Sequence, residues 1–225
     1  MSSHSSPPVQ NIVVSYLQLR RAIGYTGLTL GPLLIGCFFF LHPDCPLPPS
    51  ISHFYYTSLG TYFTGSLIAI ALFLFFYSGP EAVDRATARM ASACACVVAF
   101  CPTSPYCPSC LSCQTIKMIP NYFQTLLHYS AAIFLFLLLA YFCLFLFTRT
   151  HPHHPPTAEK LRRNRVYRCC GWVILLSLLG MAFVEFNWLP FQLSVYHPIL
   201  VGETIALSVF GISWLVKGAV FLHDK

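Results

Sequence analysis

The chain has 225 residues, 56% of them hydrophobic and only 9% charged, with a formal net charge of +6. Soluble domains carry roughly 25% charged residues, so this composition excludes an ordinary soluble domain and points to an integral membrane protein. The positive charge does not point to nucleic acid, because the basic residues flank apolar runs, where membrane topology places them.

Residues 1–14 are rich in Ser and Pro and predict a disordered tail. They lack the basic start and apolar core of a cleaved signal peptide, so the first span is expected to act as an uncleaved insertion signal. Residues 13–18 predict a short interfacial helix, and Arg20 and Arg21 mark a cytoplasmic edge. Span one is expected at 22–41, where Gly27 and Gly31 have the small-xxx-small spacing that lets helices approach closely. Pro43, Pro46, Pro48 and Pro49 then interrupt the helix. Span two is expected at 58–77, with Thr61, Gly65 and Ala69 predicting a helix contact, and Gly79-Pro80 ends it.

The third span is the weakest by composition. Residues 90–101 are apolar, and only with their flanks at 86–104 do they reach spanning length. Charge decides the matter. Span four, at 124–148, is followed by Arg149, Lys160, Arg162, Arg163, Arg165 and Arg168. Unless 86–104 crosses, that basic block lies outside, against the positive-inside bias. Span five is expected at 169–187 and span six at 199–221. The predicted fold is therefore all-α: an integral membrane bundle of six transmembrane helices over residues 15–225, with N and C termini cytoplasmic. Lys117 is then the one basic residue outside, and Lys217 is expected to snorkel to the headgroups.

Four stretches carry a likeness: SYLQLRRAIG at 15–24, PSISHFYYT at 49–57, RNRVYR at 163–168, and Glu203 followed by FGISWLVKG at 210–218. Together they resemble a group of small bacterial polytopic inner-membrane proteins. The resemblance implies the bacterial inner membrane and six helices, and it implies no activity. The Cys-rich piece at 101–113 departs from the group, whose segment there is shorter and poor in cysteine.

Uncharged spans make ionisable residues conspicuous, and such residues usually face the bundle interior or a wet cavity. His42, Asp44, Ser52, His53, Tyr56, His128, Glu185, His197 and Glu203 all fall near the predicted outer ends of spans. One reading is a ligand-binding pocket of Ser52, His53, Tyr56, His128, Glu185 and Glu203. Within it, His53, His128 and Glu203 are ligand types for a divalent metal such as zinc, which could activate water against an ester or amide. Helical-bundle hydrolases of the ceramidase and adiponectin-receptor type use such a plan, but their paired-histidine final helix is missing here. The other reading is an interfacial belt of Tyr, His and Trp.

Five of the eleven cysteines, Cys45, Cys101, Cys107, Cys110 and Cys113, fall in the predicted outer loops. Outside the cytoplasm a disulfide is the default, and at least one is expected among Cys101, Cys107, Cys110 and Cys113. Metal ligation and a redox-active Cys107/Cys110 pair are the alternatives. The odd count leaves one thiol free or joined to another chain. His151, His153 and His154 read as a solvated Pro-rich linker.

Three functions remain open: a membrane protein binding a lipid or small apolar ligand at an outer-leaflet polar pocket, with or without metal; an accessory subunit of a membrane assembly; and a membrane thiol-disulfide oxidoreductase. The expected partners are membrane lipids and either a membrane-protein partner or a second copy.

Overall fold

A computed structural model describes residues 9–106, 113, 119–150, 156–186 and 197–221. These are helical throughout their regular structure, with no strand among the described residues. Six helices follow in order: α1 (Val9–Leu41), α2 (Gly60–Phe76), α3 (Ala82–Phe100), α4 (Tyr122–Tyr141), α5 (Ala158–Glu185) and α6 (Pro198–Lys217). A 3-10 segment, Ile51–Tyr56, lies between α1 and α2, and a π-helical turn, Phe142–Leu146, extends α4. Each helix packs on its sequence neighbours, and α6 closes back on α1, so the bundle is a ring.

Among the described residues four helices are long and apolar enough to cross a membrane: Tyr16–Leu41, Tyr122–Leu146, Ala158–Glu185 and Pro198–Lys217. The chain is thus a multi-span membrane protein. Its outer surface suits hydrocarbon, with Phe40, Phe76, Phe134, Trp172 and Leu176 all exposed. Helix α2 is apolar but shorter, at 17 residues. Helix α3 carries Asp84, Arg85 and Arg89 in its first half and buries a stripe of Ala88, Ala91 and Ala95. Those small side chains allow a close seam with α2, where the Ser92 hydroxyl donates to the Ala71 carbonyl at 2.7 Å.

The helix boundaries differ from the sequence expectation at the starts of α1 and α5. The interfacial helix at 13–18 is not separate: α1 runs unbroken from Val9, through Pro32. Likewise α5 starts at Ala158, eleven residues before the predicted 169. Thr157 caps it, accepting from Lys160 N–H at 3.1 Å. The basic residues 160–168 are therefore helical. Hydropathy marks where a helix enters hydrocarbon, whereas the cap marks where the helix begins.

The α1–α6 seam is built from small residues, as the spacing of Gly27 and Gly31 suggests. A Cβ placed on Gly27 would stand 3.4 Å from Gly211 Cα, and one on Gly31 would stand 2.8 Å from the Thr204 side chain. Of the contact expected through Thr61, Gly65 and Ala69, Gly65 makes none among the described residues. Nothing lies within 4 Å of a Cβ on Gly65, and these residues line an open groove instead.

Candidate functional site

One end of the ring is closed by the Pro49–Tyr56 stretch. The prolines before it prevent α1 from continuing, and the chain turns back under the helix ends. Two hydrogen bonds lock it to the first turns of α6. The Leu200 N–H, an orphan of the helix start, donates to the Pro49 carbonyl at 3.0 Å. In return the Ile51 N–H donates to Glu203 Oε2 at 2.5 Å. Helix α4 supplies a third anchor. His128 is buried, with Nδ1 facing the Cys101 carbonyl and Nε2 3.0 Å from the Ser52 hydroxyl. A carbonyl can only accept, so Nδ1 carries the proton and Nε2 accepts from Ser52. The loop after α3 supplies a fourth anchor: Tyr56 OH donates to the Thr103 carbonyl at 2.5 Å.

His53 bonds the Ser50 hydroxyl through Nδ1 at 2.6 Å and meets the Tyr106 ring edge-on at 5.7 Å. Burial, with the charge of His128 second, pushes its pKa down to about 4, against the opposing pull of a Ser104 backbone bond. Burial, reinforced by Tyr55, pushes Tyr56 up to about 12. Both are therefore neutral near pH 7.

Ser52, His53, Tyr56, His128 and Glu203 thus meet at one short segment, while Glu185 stands exposed at the end of α5. Glu203, Tyr56 and His128 Nδ1 bond backbone groups there, while Ser52 and His53 pair with the side chains of His128 and Ser50. Among the described residues no group of three or more His, Cys, Asp or Glu is placed to hold a metal ion. His128 shows the reason: one ring nitrogen is an N–H and the other is occupied by Ser52. His42 lies apart, 2.7 Å from the Ser58 hydroxyl. His197 precedes α6 in the left-handed region, at φ 47°.

One of the four cysteines expected to pair among themselves has its partner outside that set. Cys113 is joined to Cys45, 68 residues away, with Cα atoms 5.7 Å apart. Cys101 is a free thiol, and Cys107 and Cys110 lie outside the described residues. The two loops are brought together by the Tyr56–Thr103 bond and by Tyr106 OH donating to the Pro46 carbonyl at 3.3 Å. Nothing local in the sequence marks that proximity.

A second feature was not anticipated from sequence. Between α1 and α2 runs a groove of about 450 Å³, lined by Tyr25, Thr26, Thr29, Thr61, Tyr62, Gly65, Ser66 and Ala69. Its volume lies in the range of small-molecule sites. Tyr25 and Tyr62 stand at its mouth on the bundle surface, 51% and 39% exposed. The Thr29 hydroxyl turns back to the Tyr25 carbonyl at 2.8 Å. The hydroxyls of Tyr25, Thr26, Thr61, Tyr62 and Ser66 make no hydrogen bond within the described residues. Comparison with protein-family models, curated proteins and solved structures finds no match.

Proposed function

We propose that this chain is a six-span protein of the bacterial inner membrane, with its basic end and both termini in the cytoplasm, that binds a lipid or other small amphiphile between α1 and α2. Six spans are supported by the closed ring, in which α2 and α3 pack between long apolar neighbours. Orientation is supported by charge: Arg20, Arg21, Arg85, Arg89, Arg149, Lys160 and Lys217 gather at the end opposite the 3-10 segment. The bacterial placement rests on the likeness of the stretches at 15–24, 49–57, 163–168 and 210–218, with Glu203.

The observation that carries the binding reading is the groove and its five unpartnered hydroxyls. Unpaired polar groups in hydrocarbon are costly. A ligand with a hydrogen-bonding group among its apolar atoms would satisfy them. The polar outer residues then serve to close the bundle rather than to form the binding pocket.

Native mass spectrometry of protein extracted in mild detergent tests this. Gly65→Phe would fill the groove at a position with free space, so the fold should persist while a co-purified amphiphile is lost. Equal retention in wild type and variant overturns the reading. The room above Gly65 equally suits a helix of an accessory-subunit partner. In that case the variant loses a partner protein or a second copy and keeps its lipid.

A further inference from the structure

The basic end gathers several cations and, among the described residues, two donors without acceptors. Lys217 ends α6, and its ammonium sits 5.2 Å from the Phe147 ring centroid. It feels the charges of Arg20, Lys160 and Arg163, with Asp84 the opposing acid among the described residues. Asp84 is already engaged, accepting from the Glu81 N–H at 3.0 Å and from Arg149 at 3.4 Å. Arg149 in turn pairs with Glu81 at 2.7 Å. Among the described residues Lys217 has no carboxylate within ion-pair distance.

Among the described residues two donors stand unpaired nearby. The Arg20 guanidinium lies 4.2 Å from the Tyr16 ring centroid, and its Nη1 donates to the Lys217 carbonyl at 3.3 Å. Its Nε is buried and has no acceptor. Trp214, fully buried with its ring 5.2 Å from that of Phe147, leaves its indole Nε1 without an acceptor as well. Lys160 approaches the same residue, donating to the Phe147 carbonyl at 2.9 Å.

Ordinary roles explain only part of this. Arg21 caps the end of α6, donating to the Gly218 and Ala219 carbonyls at 2.9 and 3.5 Å, where the helix dipole favours a cation. Snorkelling would carry Lys217 out to water, but it is turned inward over Phe147. A cation–π contact restores only part of the hydration lost. Like charges and orphaned donors gathered in one place are unfavourable unless an anion completes them.

We propose that this end binds a phosphate group held between Lys217, Arg20 and Lys160. Lysine offers a point charge and arginine a fork of donors, the two ways proteins hold phosphate oxygens. The phosphate could belong to an anionic phospholipid headgroup at this depth or to a soluble phosphate compound. The site is independent of the groove between α1 and α2.

The test uses the purified, delipidated full chain in detergent and reads its thermal midpoint. One arm titrates inorganic phosphate against chloride at equal ionic strength. The other compares phosphatidylglycerol with net-neutral phosphatidylcholine. A rise with inorganic phosphate supports the site with a soluble source, and a rise with phosphatidylglycerol alone supports it with a lipid source. Lys217→Met should weaken the apparent affinity about 10- to 100-fold, the loss expected for one charge-assisted hydrogen bond. Lys217→Arg should keep it, and Lys160→Gln should weaken it in the same direction if Lys217→Met does not fold. No anion-specific rise in wild type, or a rise that these removals of charge leave unchanged, overturns the proposal.

Discussion

The α1–α6 seam makes a sharp prediction at Gly211. A methyl there would stand 2.6 Å from the Gly24 carbonyl oxygen and 2.9 Å from Leu28 Cα. Both are backbone atoms of a facing helix, so neither can rotate away. Gly211→Ala should therefore cost at least the 1–3 kcal/mol or so of an overpacked interior. Gly→Ala also raises helix propensity by about 1 kcal/mol, which would mask part of the clash. Gly65→Ala supplies the control, since nothing among the described residues lies within 4 Å of its added Cβ. The propensity gain is common to both variants, and the difference between them isolates the clash. At about 2–4 °C per kcal/mol for a chain of this size, Gly211→Ala should melt roughly 2–12 °C below Gly65→Ala in the same detergent. Equal midpoints for the two variants would refute the close approach of α1 and α6.

The remaining predictions concern the outer end and the orientation. His53 has a pKa near 4 in the fold against 6.5 in the unfolded chain, so the unfolded chain takes up its proton first. The stability it confers should be present above pH 6.5 and lost as pH falls towards 4, by up to about 3 kcal/mol; His53→Gln should flatten the midpoint over that range, and an unchanged slope counts against the burial of the ring. Mass spectrometry of alkylated, unreduced protein should recover a Cys45–Cys113 cross-link, and reduction should lower stability by about 2–5 kcal/mol given the long loop closed; recovery of both residues alkylated would show that the loops are not joined. A single cysteine at position 160 of a cysteine-free variant should react only from the cytoplasmic side, and labelling from outside would invert the bundle.

The membrane class was legible from composition and from the length of the apolar runs, because hydrocarbon imposes a requirement on each segment separately. That local requirement is why α4 with its π-helical turn, and α6, fall within a few residues of the predicted spans at 124–148 and 199–221. It is also why the starts of α1 and α5 were misplaced: hydropathy is silent about helical turns lying outside hydrocarbon. The small-residue seam at Gly27 and Gly31 was visible as a spacing, but the same kind of spacing at Thr61, Gly65 and Ala69 lines an open groove. A spacing states that approach is possible, and only the ring order states which helix, if any, approaches. The polar residues near the predicted outer ends could be picked out singly, yet that they secure the Pro49–Tyr56 stretch depends on α4, α6 and the loop after α3 meeting at one place. The pairing of Cys45 with Cys113, the five hydroxyls between α1 and α2, and the gathering of Arg20, Lys160 and Trp214 around Lys217 and Phe147 have the same origin. Each joins residues distant in the chain, and such proximities are set by packing between helices rather than by the segments themselves.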